Sequence, residues 1–238
     1  MGNLVEMMEV WARSYPAITS SGPDLLMKSK LKSAHFYGIV DLGYVTAERV
    51  SSVARSLLDG GAGVIQLRAK GCGLDEIRGL AKQLQPICRE KGTPFIVNDY
   101  PEIALEVGAD GVHIGQDDGS LADVRALVGE EMIVGRSTHS VEQAKGALAE
   151  GFDYIGFGPL FPTPTKVGRA GIGMENVRLV QSAVGQEIPV FCIGGIRRDN
   201  LAQVQGAGAQ RVVVVSDVLR AEDVKEAARE IVTQLLEQ

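Results

Sequence analysis

Seven short stretches of this chain carry polar residues suited to chemistry, and each follows a run of strand-forming residues. They are Gln66-Leu67-Arg68-Ala69-Lys70, Asn98-Asp99, Gly115-Gln116-Asp117-Asp118, Ser137-Thr138-His139, the loop from Gly158 to Lys166, Gly194-Gly195-Ile196 and Val215-Ser216. Arg68 and Lys70 lie two residues apart, so in an extended segment their side chains share a face, and Gln66 joins them. Two cations and an amide suit the oxygens of a phosphate or diphosphate, and a solvated basic rim is the plainer alternative. Asp99 and one of Asp117 and Asp118 would repel such an anion unless a cation lay between. Magnesium, held by one or two carboxylates plus phosphate oxygens, is the economical answer. Spacing alone does not choose between Asp117 and Asp118, and Asp99 could instead cap a turn before Pro101.

The loop after Gly158 is stiffened by Pro159, Pro162 and Pro164, while Thr163 and Thr165 offer hydroxyls and Lys166 a charge. Gly195 and Val215-Ser216 are small-residue positions where backbone N–H groups can approach a phosphate. The residues thus suggest two anion sites, fitting two phosphorylated substrates or one doubly phosphorylated one. No nucleophile-and-base pair stands out. His139 lies two residues past Ser137, but no carboxylate is placed by sequence to orient it. His35 and His113 fall in strand runs and read as packing residues, and Cys192 reads as inert core.

The elements that must position these residues alternate. Strands are expected over His35–Val40, Val64–Arg68, Pro94–Asn98, Gly111–Ile114, Ile133–Ser137, Tyr154–Gly158, Pro189–Gly194 and Arg211–Ser216. Helices are expected over Thr46–Asp59, Leu74–Lys91, Glu102–Val107, Leu121–Val128, Val141–Glu150, Glu175–Val184, Asp199–Gln205 and Glu222–Leu236. Strict β/α alternation implies parallel strands with right-handed crossovers. Eight units in roughly two hundred residues match a single α/β domain, a (β/α)8 TIM barrel, in which chemistry gathers at the C-terminal ends of the strands. Gly60-Gly61-Ala62-Gly63, Val107-Gly108-Ala109-Asp110, Glu150-Gly151-Phe152-Asp153 and Ala207-Gly208-Ala209-Gln210 each read as a helix stop and a turn into the next strand. A doubly wound sheet would place a glycine-rich turn after the first strand, and Asp41-Leu42-Gly43-Tyr44 is not one.

Residues 34–238 form the barrel in this reading, and residues 1–33 an N-terminal extension. Leu4, Val5, Met8 and Trp11 could line a short helix there, followed by a linker at Thr19-Ser20-Ser21-Gly22-Pro23. The extension is expected to cover the barrel bottom or a neighbouring subunit of a homo-oligomer. The 238 residues are 45% hydrophobic and 23% charged, enough for a full core, and the formal charge is −6. An acidic chain is a poor binder of nucleic acid, so its partners are expected to be small molecules. The three cysteines, Cys72, Cys88 and Cys192, lack metal-ligand spacing and read as reduced thiols. Apolar runs are short and no targeting segment is evident, so no membrane association is expected and the location reads as cytoplasmic.

The strand ends, taken in order, resemble the thiamine phosphate synthase family. The resemblance rests on QLRAK at 66–70, NDY at 98–100, GVHIGQDD at 111–118, GRSTH at 135–139, GPLFPTPTK at 158–166, IGGI at 193–196 and VVSD at 214–217. It runs from about residue 35 to the C-terminus and implies a transferase. Such an enzyme couples an aminopyrimidine methyl diphosphate to a thiazole phosphate, releasing diphosphate. Gln66, Arg68, Lys70, Asn98, Ser137 and Lys166 would then hold the pyrimidine diphosphate, within the stretch that includes Leu67 and Ala69. Arg68, Lys70, Ser137 and Lys166 would carry the catalytic work. Thr163, Pro164, Thr165, Gly195, Val215 and Ser216 would hold the thiazole phosphate. Asp99 and Asp118 would bind Mg2+, the G-Q-x-D pattern selecting Asp118. Departure of diphosphate followed by attack of the thiazole nitrogen needs no protein nucleophile, in keeping with the missing catalytic pair.

The chain departs from the family pattern at Ala69, at Arg136 and in the first strand, FYGIVDLG. Two rivals are kept in view. A thiazole tautomerase on the same barrel would use a histidine at the place of His139. A non-catalytic barrel binding thiamine precursors would have no need of two carboxylates set against a diphosphate.

Overall fold

The structure, a computed structural model, describes residues 23–162 and 171–237. Thr163, Pro164, Thr165 and Lys166 lie outside the described residues, as do Leu4, Val5, Met8, Trp11 and residues 19–22 of the expected linker.

Eight parallel strands close into a barrel in the order β1 to β8. They are β1 (Phe36–Asp41), β2 (Val64–Arg68), β3 (Phe95–Asn98), β4 (Gly111–Ile114), β5 (Ile133–Thr138), β6 (Tyr154–Phe157), β7 (Val190–Ile193) and β8 (Val212–Val213). Helix α1 (Pro23–Ser33) precedes the barrel. The crossovers are α2 (Val50–Asp59), α3 (Leu74–Lys91), α4 (Pro101–Val107), α5 (Leu121–Val128), α6 (Val141–Glu150), α7 (Glu175–Ala183) and α8 (Leu201–Gly206). Two helices, α9 (Ser216–Leu219) and α10 (Val224–Leu236), follow β8.

The sequence dictates these elements locally. In α3 the buried residues Ile77, Leu80, Ala81, Leu84, Ile87 and Cys88 recur at the spacing of one helical face. Helix α5 starts with a capping box between Ser120 and Asp123. Gly61, Gly108, Gly151 and Gly208, in the repeated phrases, all adopt positive φ, so the expected turns are present.

The strands are buried on both faces, and the period of two sorts their side chains into two cores. Ile65, Leu67, Phe95, Val97, Val112 and Val134 face outward into the layer shared with the helices. Tyr37, Ile39, Val64, Ile96, Ile133, Tyr154, Phe191 and Val213 fill the barrel interior, with Leu31 of α1 and Ala34 beneath them. Helix α1 lies across the N-terminal ends of the strands. Lys28 binds Asp153 at 3.0 Å and the Glu130 carbonyl at 3.2 Å, and Arg211 donates to the Lys32 carbonyl at 2.9 Å. Of the two roles expected for the extension, its final helix takes the first and covers the barrel bottom.

Two expectations are corrected. Strand β8 ends at Val213 rather than Ser216, because Val215 turns into the right-handed helical region (φ −106°, ψ −79°) and Ser216 opens α9. The helix expected from Thr46 begins as a 3-10 turn over Ala47–Arg49 before α2.

Candidate active site

The C-terminal mouth of the barrel opens into one pocket. Gln66, Arg68, Asn98, Ser137, Gly195, Val215 and Ser216 of the expected set line it together, with His139 at the rim. Seven positions from β2, β3, β5 and the ends of β7 and β8 therefore converge although they span 151 residues of sequence from 66 to 216.

Leu67 and Ala69 are oriented differently. Both side chains are buried in the layer between sheet and helices, so only their backbones are available to the pocket. Lys70, Asp99 and Asp118 form a separate ledge at the mouth rather than the pocket wall. Lys70 Nζ lies 3.2 Å from Asp99 Oδ2. Asp118 Oδ2 accepts from the Gly115 backbone N–H at 2.7 Å. Asp99 is held at φ 68°, the one positive φ at a non-glycine position among the described residues. Its N–H donates to the His113 carbonyl at 2.9 Å, which fixes this conformation at the end of β3. Burial pushes the Asp99 carboxyl up from its usual range, Lys70 and Arg68 oppose the shift, and the Asp118 charge adds to it. Two carboxyl groups close enough for the Asp118 charge to act on Asp99 form a donor set that fits a hard divalent cation. Groups of three or more His, Cys, Asp or Glu arranged for a metal are absent among the described residues, so water and phosphate oxygens would complete the shell.

Arg68 differs from a free cation on a rim. Its Nη1 lies 2.7 Å from Asp41 Oδ2, and the Asp41 side chain is 2% exposed. The other Asp41 oxygen accepts from Gly43 N–H at 2.9 Å. Arg136, a departure from the family pattern, donates to the carbonyls of Gly119 at 2.7 Å and Gln116 at 3.1 Å. It thereby ties down the loop that carries Asp118.

The floor of the pocket holds an unexpected polar chain. Gln66 Nε2 donates to Tyr37 Oη at 2.9 Å, and Tyr37 Oη meets Tyr154 Oη at 2.9 Å. Tyr154 Oη meets His113 Nδ1 at 3.1 Å, and His113 Nε2 meets Ser137 Oγ at 2.9 Å. Burial pushes both phenols well above their ordinary range, so both keep their protons. His113 is therefore part of the pocket floor and not a packing residue. Space for this chain comes from Gly135, where an added Cβ would stand 2.1 Å from Tyr154 Cζ. The sequence alone points to none of Tyr37, Asp41 and Tyr154 for the site and assigns His113 to packing. Their signal was the inward register they share with Gln66 and Arg68.

On the opposite wall, Gly194 and Gly195 adopt φ 98° and 67°. A Cβ at Gly195 would meet Phe161 Cβ at 2.6 Å, and Phe161 N–H donates to the Gly194 carbonyl at 3.0 Å. The glycines admit the loop after β6, which packs directly upon them. That is a different use of small residues from open access for a phosphate.

Cys88 and Cys192 are buried, and burial pushes both thiols up to about 12. No helix among the described residues is long and apolar enough to cross a membrane.

Comparison with known proteins identifies the family. A family model described as thiamine monophosphate synthase matches residues 36–218. The thiamine-phosphate synthase of Bacillus velezensis is 43% identical over 198 residues, covering 81% of this chain and 87% of that protein. A thiamine-phosphate synthase of Gloeobacter violaceus is 40% identical over 205 residues, which cover 86% of this chain and 58% of the longer relative. The solved thiamine phosphate pyrophosphorylase of Pyrococcus furiosus superposes with a TM-score of 0.76 at 35% identity, covering 88% of this chain and 98% of that one. With the family model spanning most of the barrel and relatives at 40% and 43% identity, the chain belongs to the thiamine monophosphate synthase family, a family of transferase enzymes.

Proposed function

We propose that this protein joins an aminopyrimidine methyl diphosphate to a thiazole phosphate, forming thiamine phosphate and releasing diphosphate. The observation that carries the reading is the convergence of Gln66, Arg68, Asn98 and Ser137 on one wall with Gly195, Val215 and Ser216 on the other. One wall takes the pyrimidine diphosphate and the other the thiazole phosphate, with Thr163, Pro164, Thr165 and Lys166 contributed by the loop after β6.

In the proposed reaction the bond between the pyrimidine methylene carbon and the diphosphate oxygen breaks first, its electron pair leaving with diphosphate. The thiazole nitrogen lone pair then forms the new carbon–nitrogen bond. Arg68, Lys70 and Lys166 stabilise the negative charge that develops on the leaving oxygens. Ser137, Gln66 and Asn98 orient the pyrimidine so that its methylene faces the acceptor. Asp99 and Asp118 would hold Mg2+, which supplies further charge neutralisation to the diphosphate when bound. We place the protein in the cytoplasm on its family and its reduced thiols.

Incubation with both substrates, with and without magnesium, tests the reading. Coupled product that depends on magnesium supports it, and Asp99→Ala and Asp118→Ala proteins should then lose most turnover. Near-normal magnesium-dependent rates in both variants would refute the metal assignment. A metal-independent tautomerase activity abolished by His139→Ala would favour the sister reaction instead.

A further inference from the structure

The chain from Gln66 to Ser137 has a direction. The Gln66 amide nitrogen can only donate, so Tyr37 Oη must accept from it and direct its own hydrogen elsewhere. The other partner of Tyr37 Oη among the described residues is Tyr154 Oη, at 2.9 Å. Tyr154 then receives that hydrogen and passes its own to His113 Nδ1. In the reverse sense Tyr37 would face two donors with a fully buried hydroxyl hydrogen left over, a costly arrangement in a low-dielectric interior. A bare Nδ1 in a neutral ring puts the histidine proton on Nε2, which faces Ser137 Oγ at 2.9 Å.

We infer that His113 is a positioning residue, locked by Tyr154 as the Nε2–H tautomer, and that it turns the Ser137 hydroxyl hydrogen toward the bound ligand. Because Ser137 accepts from His113, its own hydrogen is reserved for the pocket. That hydrogen is matched by an acceptor on the ligand, such as an unprotonated ring nitrogen or a phosphate oxygen. Gln66 is oriented in the same way: one N–H of its amide is committed to Tyr37, which leaves its second N–H and its carbonyl oxygen for other partners. The pocket floor therefore presents a fixed donor and acceptor pattern before any ligand arrives, which is preorganisation in the strict sense. The first half of the inference holds whatever the reaction, while the ligand half rests on the proposed function.

The two halves are tested separately. The chain has three histidines, His35, His113 and His139, so long-range proton–nitrogen correlation on protein labelled at histidine is tractable. The spectrum is taken without ligand at mildly alkaline pH, and His113 is assigned by its loss in His113→Gln. The expected result is a protonated Nε2 and an Nδ1 resonance displaced by an accepted hydrogen bond. In Tyr154→Phe that displacement should vanish. A protonated Nδ1 in the parent protein, or an Nδ1 resonance unmoved by Tyr154→Phe, overturns the direction of the chain.

For the second half, Tyr154→Phe and His113→Leu should lower kcat/KM for the pyrimidine diphosphate about tenfold, the loss of one buried hydrogen bond, and leave KM for the thiazole phosphate unchanged. His113→Gln, whose amide nitrogen can stand near the place of Nε2, should recover most of the loss seen with leucine. Equal loss toward both substrates, with no recovery by glutamine, would reduce His113 to a structural role. Absence of any coupling activity in the parent protein would instead overturn the proposed function and leave the spectroscopic result standing.

Discussion

Arg68 reaches the pocket already paired: its guanidinium stands 2.7 Å from the Asp41 carboxylate, across the β1–β2 register in which Asp41 and Arg68 are direct partners. A cation anchored in this way keeps one face for its carboxylate and offers the other to a ligand, so its geometry is fixed before binding. The pair also joins the ends of two adjacent strands.

Removing the carboxylate should therefore cost stability as well as activity. Asp41→Ala leaves a largely buried guanidinium uncompensated and is expected to destabilise the protein by about 3 kcal/mol. Asp41→Asn, which can still accept from the Gly43 N–H, should lose less. Urea unfolding of the three proteins measures the difference, and equal midpoints would show that the pair contributes nothing.

Asp99 gives a pH-dependent prediction. Its folded-state pKa lies above the unfolded value because burial and Asp118 oppose ionisation. Stability contributed by the protonated carboxyl is fully present below the unfolded pKa and is lost as pH rises through the folded one. In magnesium-free buffer at neutral pH, Asp99→Asn should thus be more stable than the parent protein, and the gap should close as pH falls into the carboxylate range. Asparagine tolerates the left-handed backbone at this position, so the substitution adds little strain. Thermal melts across pH check this, and a gap that widens on acidification would contradict it.

Gly135 gives a severe core substitution. An alanine Cβ would lie 2.1 Å from a ring that is itself fully buried, so Gly135→Ala should cost about 3 kcal/mol through overpacking. Pairing it with Tyr154→Leu, which removes the ring, should return part of that loss, a coupling readable in a double-mutant cycle.

Thiol chemistry should divide the cysteines cleanly. Cys72 is partly exposed, whereas Cys88 and Cys192 are buried with thiols pushed up to about 12. A thiol reagent at pH 8 should modify one cysteine quickly and the other two only on unfolding. Fast reaction of two or three in the folded protein would show the sheet–helix layer to be open.

The helical faces were legible because apolar residues recur with the helical period between glycine stops, and α3, α5 and α6 have the limits expected of them. The barrel followed from alternation, and most of the pocket from reading where strands end. Tyr37, His113 and Tyr154 were harder. In strands buried on both faces, inward and outward residues are alike in hydropathy, so an inward tyrosine resembles any core aromatic. The partner of Arg68 was hidden because Asp41 falls one residue past the expected end of the first strand at Val40, whereas β1 runs through it. The short β8 depended on a backbone reversal at Val215 that its β-branched side chain does not announce.

Helix α1 and the ring cluster above it have a consequence for traffic. Leu31 seals one end of the barrel, and Tyr37, Tyr154 and Phe191, with ring centroids 5.2–5.9 Å apart, fill the shaft over it. Among the described residues the pocket is closed toward the barrel bottom. Exchange of a ligand in this pocket with solvent is therefore directed, among the described residues, to the side of the strand C-termini.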